Sequence, residues 1–287
     1  MTVRQHRQRD FELFAERKTG EAASAHIERL STISDRSKNE PVRGVGNAWS
    51  RIHYDGDFCL FQPPPDGTAL SLVFVQSKSR NTGGDPATLG GGATDKHLIY
   101  EGLSRVAADA ILAGAGSVDG EAAFSVWHPE LVALRATLDL PRHPAQIVVS
   151  LHGRFDFDAL LFSVPELRVF VIGAAEHMTG HASILRARPW IRHVPLEGGD
   201  LRLAISRLRE EEGIRRISAI GGRHTATRLV DADLCQDLYL TTTSRDGGEP
   251  NTPWYSGINA PPSRVITRKE WIDGDSRILF EHILIRR

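Results

Sequence analysis

The chain has 287 residues, of which 40% are hydrophobic and 25% charged, a composition typical of a globular protein with a substantial core. Lys and Arg (35) nearly balance Asp and Glu (36), which argues against nucleic acid as the main partner. Cys59 and Cys235 are too few for a disulfide framework, and no apolar run approaches the roughly 20 residues of a membrane helix. We therefore expect a cytoplasmic protein that binds no membrane.

The first 69 residues predict a helical extension and a lead-in to the main domain. Over residues 7–34, apolar residues recur within a mostly charged or small segment, which indicates one or two amphipathic helices. The polar stretch 35–46 predicts a linker or exposed loop, and three prolines at 63–65 predict a rigid surface turn. We accordingly place the main domain over residues 70–287.

A strand, helix, strand unit opens the main domain. Residues 70–76 are strongly strand-like, and a long glycine-rich loop follows over residues 77–93. Thr94 and Asp95 can cap a helix, after which apolar residues recur at helical spacing. The run from Asp109 to Val118 then predicts a buried strand whose carboxyl end turns sharply at a ligand-sized crevice.

The remaining elements alternate between strands and helices. Predicted strands cover residues 146–150, 167–173, 193–196, 216–220, 237–241 and 278–285, and predicted helices cover residues 131–134, 201–212 and 226–230. This alternation predicts an α/β fold with a mostly parallel central sheet. The last strands have no helix between them, so we expect them to be antiparallel.

Two glycine turns at strand ends predict a site for a phosphorylated ligand. The first is Gly114-Ala115-Gly116-Ser117, and the second is Gly221-Gly222-Arg223-His224-Thr225. Backbone N–H groups at a helix start attract anions, although tight turns without a ligand are the simpler alternative. Ser117 does not fit the nucleophile elbow of a serine hydrolase, because Ala115 and Asp119 stand where that motif needs glycines.

In this order the motifs resemble the reductase domain of riboflavin biosynthesis, a family of the dihydrofolate reductase-like superfamily. The resemblance is carried by residues 103–118, by Gly213-Ile214, by Gly221-Gly222 and by the segment Leu234-Cys235-Gln236-Asp237-Leu238-Tyr239-Leu240. It implies a dihydrofolate reductase-like three-layer fold and a homodimer. It also implies NADPH-dependent reduction of a pyrimidine- or pterin-like small molecule, similar to 5-amino-6-(5-phosphoribosylamino)uracil reductase.

The resemblance also implies the roles of individual residues. The residues that would border or hold NADPH are Gly114, Gly116, Ser117, Val118, Ser150, Gly221, Gly222, Arg223, His224 and Thr225. Ser77 and Arg105 would face the substrate. No catalytic side chain is implied, and we expect no metal, since His177 and His181 have no third ligand nearby.

Two departures from the family pattern concern the substrate half of the site. The first strand leads into Ser77-Lys78-Ser79-Arg80 instead of Ser-x-Asp-Gly, and Ile220 replaces the acid of Glu-Gly-Gly.

The family's zinc deaminase motif, His-x-Glu followed by Pro-Cys-x-x-Cys, does not occur, so we expect no deaminase domain. The alternatives are a nucleotide-binding or regulatory homologue without reductase turnover and, more distantly, a structural dimer module.

Overall fold

A computed structural model of the chain describes residues 3–83, 89–220 and 222–285. Its strands are β1 (Ser31–Asp35), β2 (Val42–Val45), β3 (Phe58–Phe61), β4 (Ala69–Gln76), β5 (Ala110–Gly114), β6 (Ala145–Val149), β7 (Val169–Gly173), β8 (Ile191–Pro195), β9 (Arg216–Ile220), β10 (Asp237–Thr242), β11 (Ser263–Asp273) and β12 (Ser276–Ile285).

The helices are α1 (Val3–Ala23), α2 (Ala48–Tyr54), α3, α4 (Pro129–Thr137), α5 (Ala175–Met178), α6 (Ala182–Ala187), α7 (Leu201–Glu212) and α8 (Arg223–Asp231). Helix α3 combines one α-helical turn, Gly92–Thr94, with a π-helical segment, Asp95–Leu103. Among the described residues, no helix is long and apolar enough to span a membrane.

A ten-stranded sheet in the order β1-β11-β12-β10-β4-β9-β5-β6-β7-β8 forms the centre of the fold. The strands from β10 to β8 in this order are all parallel. The pairs β10–β12, β11–β12 and β1–β11 are antiparallel. The predicted α/β fold, with a mostly parallel sheet and antiparallel C-terminal strands, is therefore confirmed, as is the N-terminal helix.

Strand β4 shows how the sheet divides the core into two layers. All eight of its residues are buried, as expected for a parallel strand covered on both faces. Leu70, Leu72 and Phe74 belong to one apolar cluster with residues of α7 and α8, whereas Val73 belongs to the other, with residues of α1 and α3. Successive side chains of a strand point to opposite faces, which explains this division.

The order of the strands places a crevice at the carboxyl ends of β4, β9 and β5. Strand β9 lies between β4 and β5, and β10 returns to the far side of β4. Connections leaving neighbouring strands in opposite directions open such a crevice in α/β sheets. At the opposite edge, the Asp109 carboxylate accepts hydrogen bonds from the N–H groups of Arg215 and Arg216 at 2.7 and 2.8 Å, which aligns β5 with β9.

The N-terminal segment differs from its prediction. The helix predicted over residues 7–34 ends at Ala23, and Ser31–Asp35 instead forms an edge strand paired with β11. The stretch between residues 42 and 61 forms a separate hairpin sheet, β2–β3, around helix α2. The division of the chain after residue 69 stays a prediction.

Candidate functional site

The two glycine turns lie side by side. Strand β5 pairs with β9, with Ala113 opposite Ile220, so their carboxyl ends are adjacent. Gly222 has a φ of 72°, a left-handed conformation that favours glycine. A Cβ atom added there would lie 3.5 Å from Thr225 Oγ1 and 3.8 Å from Ser117 Oγ. The sequence motifs thus meet at one place in the fold.

A cavity of about 540 Å³ opens at these turns, and we call it the glycine-turn cavity. Ser117, Gly222, Arg223 and His224 line it, as does Arg105. Helix α8 begins at Arg223, so its first backbone N–H groups, which have no intrahelical acceptors, belong to the same turn. The turn therefore combines free N–H donors with the side chain of Arg223, a donor set suited to phosphate.

Three other predicted cofactor residues, Gly114, Gly116 and Val118, do not line this cavity. A Cβ atom on Gly114 would lie 2.7 Å from Thr225 Oγ1, so Gly114 allows the two turns to pack closely. Gly116 is exposed with open space beside it, whereas Val118 is buried in the core. Gly221 lies outside the described residues.

The two predicted serines have local structural contacts. Ser150 Oγ accepts a hydrogen bond from Arg154 N at 2.9 Å, and Ser77 Oγ accepts one from Asn81 N at 3.3 Å. Both residues are buried, and neither lines the glycine-turn cavity. Their predicted contacts with cofactor and substrate stay predictions.

Ile220 lines the glycine-turn cavity, at the position where the family pattern has an acid. Its apolar side chain offers no acceptor for a ligand. Glu249, from the loop between β10 and β11, lines the same cavity and brings a carboxylate to it from another part of the chain.

A second cavity, of about 580 Å³, adjoins the first, and Val75, Tyr100 and Arg105 line both. We call it the α1–α3 cavity, because much of its wall comes from these helices. Its other lining residues are Phe14, Lys18, Gly90, Gly91, Gly92, Asp95, Lys96, Glu101, Ala123, Trp127, Arg245 and Asp273. The two cavities therefore share one wall.

Asp95 places a buried carboxyl group in the α1–α3 cavity. It is 4% exposed, and Oδ1 accepts a hydrogen bond from the hydroxyl of Thr241. Burial raises the pKa of Asp95 from 3.8 to about 7, against the opposing effect of Thr241. This carboxyl group therefore holds a proton close to neutral pH.

The prediction that Thr94 and Asp95 cap a helix is wrong, because both have right-handed helical dihedral angles within α3. The sequence carried a signal for burial: Asp95 precedes Leu98 and Ile99 by three and four residues, so it lies on the apolar face of the helix. The helix is π-helical at this point, a conformation frequent at functional sites.

Arg105 lies between the two cavities. Its guanidinium carbon is 5.5 Å from the ring centroid of Tyr100, and Nη1 donates to Ser125 O at 3.3 Å. Its Nε is shielded from solvent and has no hydrogen-bond partner in the described part of the chain. Burial lowers the pKa of Arg105, which still carries its charge at neutral pH.

Glu101 is held as an anion at the inner end of the α1–α3 cavity. Its Oε1 lies 3.2 Å from His97 Nδ1, and Oε2 accepts the N–H groups of Trp127 and His128 at 2.8 and 3.0 Å. Burial works to raise the pKa of Glu101, but these hydrogen bonds hold it below its ordinary value. Over the described ranges, no group of three or more His, Cys, Asp or Glu side chains is arranged to hold a metal ion.

Comparison with known families and structures agrees with this architecture. The family model of the RibD C-terminal domain matches residues 82–280. The chain belongs to this family. The match includes both glycine turns and all of α3, and the expected family resemblance is confirmed. Comparison with curated proteins found no match.

Solved structures similar to this RibD C-terminal domain protein share its fold. A pyrimidine reductase-like protein from Corynebacterium diphtheriae is 19% identical, with a TM-score of 0.60 over 77% of this chain and 93% of that one. The Saccharomyces cerevisiae riboflavin biosynthesis reductase Rib7 is 17% identical, with a TM-score of 0.52 over 77% and 91%. A Thermotoga maritima diaminohydroxyphosphoribosylaminopyrimidine deaminase/5-amino-6-(5-phosphoribosylamino)uracil reductase is 16% identical, with a TM-score of 0.51 over 76% and 57%.

Proposed function

We propose that this chain is an NADPH-dependent reductase of a pyrimidine-like small molecule, with activity similar to that of 5-amino-6-(5-phosphoribosylamino)uracil reductase. The observation that carries the proposal is the pair of adjoining cavities, one at the second glycine turn and one beside a buried acid, with Arg105 in their shared wall. The names of the Rib7 and Thermotoga maritima structures support the same activity.

The glycine-turn cavity fits the phosphates of a dinucleotide. Gly222 leaves room where a Cβ atom would approach Ser117 and Thr225, and the start of α8 supplies backbone donors. Arg223 adds a guanidinium group of the kind that accommodates the 2′-phosphate of NADPH. We assign Ser117, Gly222, Arg223 and His224 to cofactor binding.

The α1–α3 cavity fits a substrate that accepts a proton during reduction. Bound NADPH supplies the hydride, and the protein contributes positioning and a proton. Asp95 holds a proton near neutral pH and can donate it to the nitrogen or oxygen atom that gains charge as the substrate is reduced. Thr241 fixes the orientation of this carboxyl group, and Arg105 orients an anionic substrate against the cofactor side.

One observation favours a second candidate function, a nucleotide-binding or regulatory homologue without turnover. Ile220 removes an acid that the family uses to hold substrate. Glu249 in the same cavity and Asp95 in the adjoining one provide carboxyl groups from other elements, so we place the reductase first.

Cofactor binding and turnover test these functions separately. NADPH is titrated into the protein and binding is followed by calorimetry or by nicotinamide fluorescence. NADPH oxidation is then measured with 5-amino-6-(5-phosphoribosylamino)uracil as the acceptor. We expect both binding and turnover. Failure to bind NADPH at high micromolar concentration contradicts a reductase, whereas binding without turnover supports the regulatory homologue.

A further inference from the structure

Helix α1 closes one side of the α1–α3 cavity, although it lies outside the part of the chain that matches the RibD C-terminal domain. The match begins at residue 82, whereas α1 spans Val3–Ala23. Phe14 and Lys18, one turn apart on this helix, both line the cavity. This wall therefore lies outside the matched residues.

Specific contacts hold α1 in place over the cavity. Phe14 is buried and packs edge-to-face against Trp127, with ring centroids 5.5 Å apart. Phe11 is 2% exposed and packs against the ring of His143 at 5.4 Å. Buried aromatic pairs of this kind fix a helix face against its neighbours.

Polar contacts flank this aromatic anchor on both sides. Arg17 forms an ion pair with Glu121 at 2.8 Å, and Gln8 donates a hydrogen bond to Glu166 at 2.6 Å. Because these contacts run along most of α1, they fix the position of the backbone that carries Lys18.

The charges that line the cavity favour an anionic ligand. Four cationic side chains line it: Lys18, Lys96, Arg105 and Arg245. Of its acids, Glu101 already accepts hydrogen bonds from two backbone N–H groups, and Asp95 is largely protonated below neutral pH. Asp273 is the remaining acidic side chain in the wall. The surplus of positive charge attracts anions into the cavity.

Lys18 is available to such a ligand. Its Nζ lies 3.2 Å from Glu21 Oε2, in a partly exposed pair of the kind that contributes little free energy. Its side chain is 27% exposed, so the ammonium group keeps access to solvent and ligand. An anionic group entering the cavity competes readily for this ammonium.

We propose that α1 is part of the substrate site and that Lys18 binds the anionic group of the substrate, a phosphate monoester on a sugar, while Phe14 covers the cavity beside it. The chemistry of this substrate rests on the proposed function. Lys18 thereby becomes a specificity-determining residue outside the matched residues.

The test uses D-ribose 5-phosphate as a probe of the full-length protein, with uncharged D-ribose as the reference. Binding is measured by calorimetry for the wild type, for Lys18→Gln and for Arg9→Gln. Arg9 is exposed on the same helix and does not line the cavity, so Arg9→Gln removes the same charge without the proposed contact. Thermal unfolding of each variant verifies that it is folded.

We expect the wild type to bind D-ribose 5-phosphate far better than D-ribose. Lys18→Gln should weaken binding of the phosphate about tenfold, and Arg9→Gln should leave it within about twofold. Equal effects of the two substitutions, or a wild type that does not discriminate the phosphate from the free sugar, would overturn the proposal.

A parallel titration with NADPH separates this inference from the proposed function. Lys18 does not line the glycine-turn cavity, so the affinity for NADPH should be the same in the wild type and in Lys18→Gln. Absence of NADPH binding by the wild type would contradict the reductase, whereas the binding of the sugar phosphate reports on Lys18 alone.

Discussion

The hydroxyl of Thr241 donates a hydrogen bond to Asp95 Oδ1 and so links strand β10 to helix α3 across 146 residues of sequence. Thr241 stands opposite Val75 in the parallel pairing of β10 with β4, and Val75 lines both cavities. The bond therefore anchors the buried carboxyl group at the carboxyl end of the sheet, where the two cavities share a wall.

Asp95→Asn should abolish most of the turnover and leave cofactor binding intact. The amide still accepts the hydrogen bond from Thr241, but it cannot supply a proton to the substrate. We expect kcat to fall by about 10²–10⁴-fold, the usual contribution of a general acid. Asp95 does not line the glycine-turn cavity, so the NADPH dissociation constant should stay unchanged. A kcat close to that of the wild type would show that the proton comes from another group.

Thr241→Val should move the pH dependence of the reaction to higher pH. The hydrogen bond from Thr241 stabilises the ionised form of Asp95 and so lowers the pKa of this carboxyl group. Removing the bond therefore raises that pKa from its value of about 7. In the wild type, kcat/KM should decline as the pH rises through about 7, and in the variant the decline should begin later. Thr242→Val is the matched control, since the Thr242 hydroxyl bonds Gln76 instead. An identical pH profile in Thr241→Val and the wild type would contradict this role.

The same carboxyl group should make the protein less stable as the pH rises. The pKa of Asp95 is about 7 in the folded protein, above its ordinary value of 3.8, so between these values the folded state keeps a proton that the unfolded chain releases. The free energy of unfolding therefore falls across this range, by up to about 4 kcal/mol for this group. Asp95→Asn should be more stable than the wild type at pH above 7, with the difference vanishing near pH 4. Urea unfolding at several pH values measures it, and a difference independent of pH would refute the assignment.

Gly222→Val should abolish NADPH binding through the shape of the second glycine turn. Valine is strained at a φ of 72°, and its side chain would enter the space between Thr225 and Ser117. Gly213 ends helix α7 with the same φ of 72° and has no atom near its Cβ position, so Gly213→Val imposes the strain away from the cavity. We expect both variants to lose about 1–3 kcal/mol of stability. Comparable NADPH affinities in the two variants would mean that the phosphates bind elsewhere.

The central sheet could be predicted from the sequence because its strands are buried on both faces. Parallel strands such as β4, β5 and β9 are mostly apolar and almost fully buried, and glycines mark the turns that follow β5 and β9. Strand β1 has the opposite character. Four of its five residues are exposed, and it is stabilised at the edge of the sheet by pairing with β11, so neither alternation nor an apolar run reveals it.

The acid of the candidate site was missed for a different physical reason. The spacing of Asp95 to Leu98 and Ile99 indicates burial, but the pKa of Asp95 also depends on Thr241, which lies 146 residues away in the sequence. Likewise, Lys18 and Arg245 reach the same cavity from opposite ends of the chain. Local patterns predict the glycine turns at the strand ends, whereas a cavity lined by side chains from distant parts of the sequence requires the fold.

Arg135 should be essential for the stability of the segment that carries Arg105. It is 1% exposed, and its Nη1 donates to the carbonyl oxygens of Val106 and Ala108 at 3.2 and 2.7 Å, while Nε donates to Pro141 O at 2.6 Å. The carbonyl groups of Val106 and Ala108 lie where the chain passes from α3 into β5, and that of Pro141 lies just before β6. Arg135→Met keeps much of the volume but leaves buried acceptors unpaired, so we expect a loss of about 3 kcal/mol or more.

The surface substitution Arg202→Met provides the control for Arg135→Met. The Arg202 side chain is 53% exposed and pairs with Asp233 at 3.2 Å, so its loss should cost less than about 1 kcal/mol. Because Arg135 also binds the carbonyl oxygen of Arg105 at 3.3 Å, its replacement should raise KM for the substrate more than it lowers kcat. Urea unfolding and steady-state kinetics measure both effects. Equal losses of stability in the two variants would show that the buried guanidinium group does not support this segment.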